Sequence, residues 1–567
     1  MGSETLNPGD PAVGVQEKGG SSSDSQDVDP GPKSEVPSDT EAAAINGDAP
    51  QKTKKSLAFH LSFIAITFLS FLFSLDATTQ AVALPVIAEQ LHGTTLQSFW
   101  ANIGYLLCVV VTLPLYTAVS DVFGRKPTLY FGIFLFALGS LVFAIAQNMV
   151  TVVVGRVLQG IGGGGMDLMS EIIVADMTTL QERSLYLGLL AIPTAIGSIL
   201  GPTLGALFTA NVSWRWIGWI NLPILGVSLF LIVVFLRLRP IDSSIASKLK
   251  RVDWGGSFLS LAGITLFVVP LSWANSLYPW RAWETLVPLL IGAALVFAFM
   301  MYEFKVPKQP IFPLRLFHSR TVHLTLLGNF AYGASLYSVL QYLPLFYQAV
   351  TLRTAIGAAV TLLPTSIVSV VFAVGGVIMV GVLGKGYVWA IIMYWVILTV
   401  GSGLLGLLGE NSSASMLLGL PILWSSAIGA LMRLLHLPLQ ASVSSVDDTG
   451  LVIGLLLVVR LLGGVVGLAM SSSIFNSVFE ASTRHLDLMG PLAPLRDASQ
   501  AVSFIPQLLN VNLPPETLDP VLQAYATAMR AIFYTMTGFS GVGLLTALFT
   551  QDVSLKRTEL GRQRFEN

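Results

Sequence analysis

The sequence predicts an all-α polytopic membrane protein with fourteen transmembrane helices, arranged as six, two and six. Two features of composition support this fold class: 53% of the 567 residues are hydrophobic and 11% are charged. Soluble globular domains contain about 25% charged residues. The third observation is that fourteen apolar segments are each long enough to cross a bilayer as a helix.

An acidic segment precedes the first apolar run. Residues 1–50 contain ten acidic and two basic side chains, are rich in Ser, Gly, Pro and Ala, and have no aromatic residue. Because such a segment cannot bury enough apolar surface to fold, we expect residues 1–56 to form a disordered acidic tail. The lysines that follow, Lys52, Lys54 and Lys55, place this tail in the cytoplasm by the positive-inside rule.

The apolar segments fall into three groups. We predict an N-terminal six-helix bundle over residues 57–236, a two-helix insert with flanking loops over 237–321, and a C-terminal six-helix bundle over 322–550. Residues 551–567 form a cytoplasmic C-terminal tail, because an even number of spans places both termini on the same side. The predicted spans are 57–85, 98–119, 128–146, 148–170, 185–209, 215–236, 254–273, 285–303, 322–349, 355–382, 387–408, 413–435, 449–475 and 529–549.

The loops between these spans support the predicted topology. Short loops assigned to the cytoplasm contain thirteen Lys and Arg residues, whereas short outer loops contain three. This excess is typical of cytoplasmic loops. The outer side also contains the long proline-rich loop 476–528, in which residues 504–509 are expected to lie at the membrane surface. The three outer basic residues are Arg215, Arg281 and Arg353.

Two glycosylation sequons, at Asn211 and Asn411, fall on the predicted outer side. We therefore expect a multi-pass glycoprotein of the cell membrane with both termini in the cytoplasm. A vacuolar or vesicle membrane is the alternative location. The chain is expected to be monomeric.

Several classes of function are not indicated. The net charge of −1 is unlike that of nucleic-acid-binding proteins. The sequence has no Walker A motif, nucleophile elbow or cofactor loop, and its six histidines show no metal-ligand spacing. The lone Cys108 cannot form an intrachain disulfide. We predict no enzyme activity, no cofactor, no metal and no nucleic-acid partner; the expected partners are a small-molecule substrate, protons and the lipid bilayer.

Two opposite charges lie at the same depth in predicted spans one and four. Asp76 and Arg156 lie about 13 Å and about 12 Å from the outer ends of their spans, at 1.5 Å per residue. Charged side chains within spans face a partner or a wet cavity. A buried carboxyl that can separate from a guanidinium would take up and release a proton, so we predict a role in proton coupling for Asp76 and Arg156; a permanent structural pair is the alternative.

Small residues follow one face of predicted span five. Gly197, Gly201 and Gly205 are four residues apart, so they lie on one helix face. Glycines at this spacing allow another helix backbone to approach closely. Pro202 removes a backbone donor and favours a bend, while Gly188 lies nine residues before Gly197. Simple close packing of helices is the alternative interpretation.

The loop between predicted spans two and three combines a turn with charge. Gly124 suits a tight turn. Asp121, Arg125 and Lys126 can form charge-assisted bonds to neighbouring helix ends when the cytoplasmic side is closed. We predict a cytoplasmic gate here; an ordinary positively charged loop is the alternative.

Other polar residues near or within spans have weaker assignments. Arg460 lies in the middle of predicted span thirteen with no carboxylate evident at its depth, and it is a possible cavity contact. We expect Asp167 and Glu171 to be solvated charges near the cytoplasmic end of span four. Residues 214–223, which include Asn221, are expected to anchor span six at the interface.

Four of these segments resemble motifs of the fourteen-helix drug:proton antiporters of the major facilitator superfamily. Residues 188–205 are similar to the antiporter motif, although Ala206 replaces its last glycine. Residues 117–126 resemble the cytoplasmic motif, with departures at its first, third and fourth positions. Residues 75–85 resemble the first-span motif, and residues 156–160 the fourth-span motif, in which the arginine is tied to proton coupling.

The resemblance covers about residues 57–550 and implies the fungal type of efflux protein. It implies proton-driven export of a small amphipathic toxin, drug or secondary metabolite by alternating access between two helix bundles. A proton-coupled uptake symporter for a siderophore or sugar is one alternative. A transporter-like sensor with little flux is the other.

Overall fold

The computed structural model describes residues 55–178, 180–238, 253–274, 277–305, 317, 319–383, 386–442, 449–486, 488–511 and 513–553. Within these residues the regular structure is helical, apart from one isolated β-bridge between Ala274 and Tyr278. The predicted disordered tail lies outside the described residues, except for Lys55 and Ser56.

The N-terminal half and the insert contain nine helices in the described residues. They are α1 (Leu57–Gln90), α2 (Thr95–Phe123), α3 (Arg125–Ala144), α4 (Met149–Met177), α5 (Leu180–Asn211), α6 (Trp216–Trp219), α7 (Asn221–Phe235), α8 (Trp254–Trp273) and α9 (Trp283–Lys305).

The C-terminal half contains eight α-helices in the part of the chain that is described. They are α10 (Arg320–Ala349), α11 (Ala355–Leu383), α12 (Val388–Leu405), α13 (Ala414–Leu434), α14 (His436–Ser442), α15 (Thr449–Thr483), α16 (Ile505–Leu508) and α17 (Pro515–Leu548). Two short 3-10 helices, Gly490–Arg496 and Ala498–Gln500, lie between α15 and α16.

Among the described residues, thirteen helical segments are long and apolar enough to cross a membrane. The remaining predicted span corresponds to α10, which has 30 residues but is not among the thirteen. Its polar residues Thr325, Asn329, Ser335 and Ser338 are buried against other helices. A helix surrounded by protein needs little lipid-facing apolar surface. The total of fourteen spans remains a prediction.

Helix contacts divide into two sets, with a smaller number between them. In the first set α1 packs on α5 and α7, and α4 packs on α2 and α3; in the second, α10 packs on α15 and α17, and α11 packs on α13. Contacts between the sets run from α2 to α15, from α5 to α11 and from α1 to α10. The insert helices α8 and α9 pack on each other, and α8 also contacts α2 and α15.

The outer loop is shorter than predicted. Helix α15 continues to Thr483 and α17 begins at Pro515, whereas the prediction placed the loop over 476–528. A search for apolar segments misses the polar turns at helix ends that project beyond the bilayer. The expectation for residues 504–509 is also wrong, because Phe504, Ile505 and Leu508 are buried and α16 packs on α1 and α10.

The loop between α15 and α17 also contacts the N-terminal half. The Thr95 hydroxyl donates to the Ala498 carbonyl oxygen at 3.1 Å and accepts from the Val502 N–H at 3.2 Å. The side-chain amide of Gln348 donates to the Val82 carbonyl oxygen at 3.2 Å. These contacts join the two halves at the end of the bundle that is predicted to face outward.

Candidate functional site

The two charges predicted to lie at the same depth are in contact. Nη1 of Arg156 on α4 lies 2.5 Å from Oδ2 of Asp76 on α1. Each residue is 1% exposed. A charge buried in this way requires a partner and further hydrogen bonds, since its own hydration is lost.

Asp76 receives those further bonds from two amides. Its Oδ1 accepts from Nδ2 of Asn221 at 2.9 Å and from Nε2 of Gln159 at 3.2 Å. Both amides also donate to the Ser140 hydroxyl, at 3.1 Å from Asn221 and 2.9 Å from Gln159. The carboxylate is therefore held by side chains from α4 and α7, and α3 supplies the hydroxyl that orients both amides. Each donor stabilises negative charge on Asp76.

Asn221 was expected at the membrane interface, and that expectation is wrong for this side chain. The short helix α6 and the start of α7 carry Asn221 inward, where it is 1% exposed. Ser140 was not singled out from the sequence at all. A polar residue at the depth of Asp76 in a neighbouring span is the signal that would identify such partners.

Arg156 is fixed by neighbours other than Asp76. Its Nη1 also donates to Oε1 of Gln159 at 2.9 Å, and its Nε donates to the Ala101 carbonyl oxygen at 3.3 Å. The guanidinium lies 4.1 Å from the centre of the Tyr105 ring, a cation–π contact. Nη2 of Arg156 and the Tyr105 hydroxyl are buried, and neither has a hydrogen-bond partner among the described residues.

The glycine face of α5 packs on the part of α1 that carries Asp76. A Cβ atom at Gly197 would lie 2.5 Å from the Phe71 carbonyl oxygen, and one at Gly201 would lie 3.0 Å from that of Leu75. A Cβ at Gly205 would collide with the backbone of Thr79. The three glycines thus allow α5 to lie directly against one stretch of α1, as their spacing predicts.

The other two residues of this motif contribute differently. Gly188 is exposed, and a Cβ there would meet no atom within 4 Å. Pro202 lies within α5, next to Gly201. Close packing is therefore a property of the three later glycines.

The predicted gate motif joins helix ends within the N-terminal half, at the end of the bundle that is predicted to be cytoplasmic. Gly124 has φ of 101° and connects α2 directly to α3. Nε of Arg125 lies 3.1 Å from Oδ2 of Asp176 on α4, and Nζ of Lys126 donates to the Leu236 carbonyl oxygen at 2.8 Å. The backbone of Asp121 is in α2, and its side chain lies outside the described residues.

Arg460 contacts polar groups from three helices of the C-terminal half. Its Nε donates to Oδ1 of Asn329 at 3.3 Å, and its Nη2 donates to the Met432 carbonyl oxygen at 3.2 Å. Nη2 also lies 3.1 Å from Nε2 of His436. These groups hold the guanidinium in place without a carboxylate in direct contact among the described residues.

The expectation that Asp167 and Glu171 are solvated loop charges is wrong. Both lie inside α4 and are partly buried. The predicted span ended at residue 170, but α4 continues to Met177. Polar residues near the helix end lowered the hydropathy and shortened the predicted span.

The sequon residues lie at exposed positions. Asn211 is the last residue of α5, and Asn411 lies between α12 and α13. Glycosylation at either position remains a prediction.

Comparison with known sequences gives consistent matches over most of the chain. The sequence profile of the Major Facilitator Superfamily matches residues 66–468. The MFS-type transporter sphD of Aspergillus fumigatus is 55% identical over 523 residues, which cover 92% of this chain and 90% of that protein. The efflux pump FUS6 of Gibberella moniliformis is 33% identical over 521 residues, covering 90% and 92% of the two chains.

Solved structures show the same fold at low sequence identity. A bacterial homologue of the human lysosomal transporter Spinster, in an inward-facing and unoccupied conformation, has a TM-score of 0.61 and 13% identity. The match covers 89% of this chain and all of that one. The human organic anion transporter MFSD10 has a TM-score of 0.51 and 16% identity, over 87% of this chain and 99% of that one.

Proposed function

We propose an export function for this chain, which belongs to the Major Facilitator Superfamily and is an integral membrane protein of a family of small-molecule transporters. We infer that it moves a small amphipathic toxin, drug or secondary metabolite out of the cytoplasm in exchange for protons. Similar proteins that are named efflux pumps support the direction of transport. The predicted cell-membrane location and cytoplasmic termini are part of this proposal.

The observation that carries proton coupling is the buried pair of Asp76 and Arg156. In the arrangement described, Arg156, Gln159 and Asn221 all stabilise an ionised Asp76. A carboxyl group that loses such partners in low-dielectric surroundings favours its protonated form. If the transport cycle separates Arg156 from Asp76, Asp76 takes a proton on the outer side and releases it when the pair forms again.

The contact between α1 and α5 offers a route from this proton site to the moving bundles. Gly197, Gly201 and Gly205 place α5 against the Asp76 stretch of α1. Helix α5 also contacts α11 of the opposite half. A change in packing around Asp76 therefore reaches the boundary at which alternating access takes place.

The cytoplasmic gate and the outer contacts complete the proposed cycle. The Arg125–Asp176 pair holds the cytoplasmic ends of α3 and α4 together, and we expect its geometry to differ between inward- and outward-facing states. The contacts of Thr95 with Ala498 and Val502 must break before the outer side opens. A single chain contains both halves, so a monomer suffices for transport.

The decisive experiment replaces Asp76 by Asn, which keeps the size of the side chain and mimics the protonated acid. Cells that express the unmodified protein should accumulate less of an amphipathic toxin, and collapse of the proton gradient should abolish the difference. Asp76→Asn should still bind substrate but lose proton-driven export, by roughly tenfold or more.

Glu480→Gln provides the matched control, because Glu480 is an exposed carboxylate at the outer end of α15. Surface abundance, binding and pH-driven flux are measured on the same samples. Normal pH-driven export by well-expressed Asp76→Asn would rule out the proton site. Accumulation that rises with expression of the unmodified protein would rule out export.

A further inference from the structure

One face of α2 joins the N-terminal half to the C-terminal half. Residues at spacings of four and three share this face of the helix: Thr95, Phe99 and Asn102. Nδ2 of Asn102 donates to Oε1 of Gln341 on α10. The centre of the Phe99 ring lies 5.2 Å from that of Tyr342 on α10 and 5.5 Å from that of Phe475 on α15. This face must leave the C-terminal half if the two halves part at the end of the bundle that is predicted to face outward.

The adjacent face of α2 holds Arg156 of α4. The Ala101 carbonyl oxygen accepts from Nε of Arg156 at 3.3 Å, and the centre of the Tyr105 ring lies 4.1 Å from the guanidinium carbon. Ala101 and Tyr105 are four residues apart, so they lie on the same side of the helix. Ala101 directly precedes Asn102. The contacts to Arg156 and to the opposite half therefore start from neighbouring residues of one helix.

Tyr105 contacts Arg156 through the face of its ring. The residue is 3% exposed, and its hydroxyl has no hydrogen-bond partner among the described residues. The face of an aromatic ring attracts a guanidinium, most strongly where both groups are shielded from water. A Cβ at Gly163 of α4 would lie 3.3 Å from the Tyr105 hydroxyl oxygen, so α4 packs closely on that end of the ring. The ring therefore has little room to turn away from Arg156 while α2 lies against α4.

A proline separates this part of α2 from the remainder of the helix. Pro114 lies within α2, after all the residues that make these contacts. Because proline has no N–H, the Val110 carbonyl oxygen loses its helical partner, and a helix bends most easily at such a position. The segment before Pro114 can therefore move as one piece, together with its contacts to both Arg156 and the C-terminal half.

From these contacts we propose that Tyr105 is a positioning residue for proton coupling. It holds Arg156 against Asp76 as long as α2 is joined to the C-terminal half. Parting of the halves at the outward end withdraws the ring and frees Arg156 from the carboxylate. This inference rests on the proposed proton-coupled export and adds the element that links the contacts between the halves to the proton site.

Few groups at this site can titrate. Among the described residues they are Asp76 of α1, Tyr105 of α2 and Arg156 of α4, and tyrosine and arginine keep their protons near neutral pH. Asp167 of α4 and Tyr337 of α10 also influence Tyr105 electrostatically. Neither forms a hydrogen bond with Asp76 or Arg156 in the described part of the chain. A response to pH that disappears in Asp76→Asn is therefore assigned to Asp76.

The test follows the opening of the outward end directly. The full chain in lipid nanodiscs carries spin labels at Val212→Cys and Asn411→Cys, which are exposed positions in the two halves, and Cys108→Ser removes the native thiol. Electron paramagnetic resonance measures the distance between the labels over a range of pH. Because protonation of Asp76 releases it from Arg156, this distance should increase as the pH falls, with a defined midpoint.

Loss of the ring should make Arg156 easier to displace, so that Asp76 takes up a proton at higher pH. Tyr105→Leu and the bulkier Tyr105→Met should each raise the midpoint by about one pH unit. Tyr105→Phe keeps the ring and should leave the midpoint unchanged.

Tyr116→Leu is the matched control. Tyr116 is also a buried tyrosine of α2 that packs against a glycine of α4, Gly165, and its hydroxyl likewise has no partner among the described residues. It lies beyond Pro114 and is not among the described contacts of Arg156. The midpoint of Tyr116→Leu should match that of the labelled parent.

Two further comparisons separate positioning from structural support. In Asp76→Asn, which cannot ionise, the label distance should not depend on pH, and adding Tyr105→Leu should not change it. Asn102→Ala removes the hydrogen bond to Gln341. Its midpoint shift and that of Tyr105→Leu should sum to more than the shift of the double variant, because both act on Arg156 through α2.

Several results would overturn the positioning role: an unchanged midpoint in Tyr105→Leu and Tyr105→Met, an equal shift in Tyr116→Leu, or an effect of Tyr105→Leu that persists in Asp76→Asn. A shifted midpoint in Tyr105→Phe would also overturn it, since the hydroxyl and not the ring would then act. Additive shifts for Asn102→Ala and Tyr105→Leu would overturn the link through α2.

The labelled parent distinguishes this inference from the proposed function. A parent whose label distance does not change with pH overturns the proposed proton coupling, and this inference with it. A pH response that depends on Asp76 but not on Tyr105 overturns this inference alone.

Discussion

Two sets of opposite charges in this protein differ in how closely they are joined. Asp76 and Arg156 belong to the same half, are 1% exposed, and lie 2.5 Å apart. Asp167 and Glu171 lie on α4, whereas Arg433 and Arg460 lie on α13 and α15 of the other half, and no direct bond joins them within the described residues. Direct hydrogen bonds within one half join the members of the first set, whereas the members of the second set lie on different halves.

This difference determines how the charges of each set respond when the two halves move. A hydrogen-bonded network within one half keeps the Asp76 carboxylate ionised until its partners separate from it. Charges that lie on opposite halves change their separation whenever the two halves move relative to each other. Substitutions should therefore lower the stability of the protein more at the first set than at the second.

The largest expected effect is that of Arg156→Ala. It leaves the buried Asp76 carboxylate without its charged partner, which costs about 3–5 kcal/mol in the free energy of unfolding. The measurement is denaturant unfolding of the purified protein in detergent micelles. Arg433→Ala is the matched control, because Arg433 has no direct partner in the described residues, and its free energy of unfolding should change by less than about 1 kcal/mol. An equal loss of unfolding free energy in both variants would show that the two sets do not differ in their contribution to stability.

A second substitution tests how the closed network is packed. Gly201→Leu forces a side chain against the backbone of Leu75 and the side chain of Thr78, so it should cost about 3 kcal/mol and abolish export. Gly188→Leu introduces the same side chain where a Cβ meets no atom within 4 Å, and export should be retained. Unfolding and flux are measured on both variants. Full export by Gly201→Leu would show that close contact of α5 with α1 is not required.

The neutral members of the network should matter less than its charges. Asn221→Ala removes one hydrogen bond to the Asp76 carboxylate, with an expected cost of about 2 kcal/mol in the free energy of unfolding. Asn211→Ala, at the exposed end of α5, serves as the control. If the Asn221 variant is as stable as the control, the bond from Asn221 contributes nothing measurable, and the network is smaller than described.

The smallest expected effect on stability is that of Arg125→Ala. Its ion pair with Asp176 is partly solvated, with side chains 19% and 22% exposed, so its loss should cost about 1 kcal/mol or less. The variant should instead change the balance between inward- and outward-facing states. Labelling of engineered cysteines on the cytoplasmic face measures this balance. Unchanged labelling would count against a gate at this position.

Sequence reasoning located the two members of the closed pair, because helix rise converts residue count into depth. It also identified the close-packing glycines, since a spacing of four is a property of the helix itself. Asn221 and Ser140 could not be assigned in this way. They come from separate helices, and their convergence on Asp76 depends on how α3 and α7 pack against α1.

The positions of Asp167 and Glu171 were predicted wrongly for a different reason. The polar residues Asp167 and Glu171 lower the hydropathy of the last turns of α4, so the predicted span ended before Glu171. Arg460 was recognised as an intramembrane charge, but its hydrogen-bond partners come from three other helices whose packing the sequence does not give. A single sequence contains no information on which faces of two helices meet across a boundary.

The buried polar residues of α10 have a consequence for biosynthesis. During translation a segment enters the membrane on its own when its apolar residues favour lipid over the translocation channel. Helix α10 carries Thr325, Asn329, Ser335 and Ser338, whose polar groups face protein in the completed fold. We therefore expect α10 to be retained by the channel until α15 and α17 have been made. Assembly of the C-terminal half is then governed by the last helices to leave the ribosome.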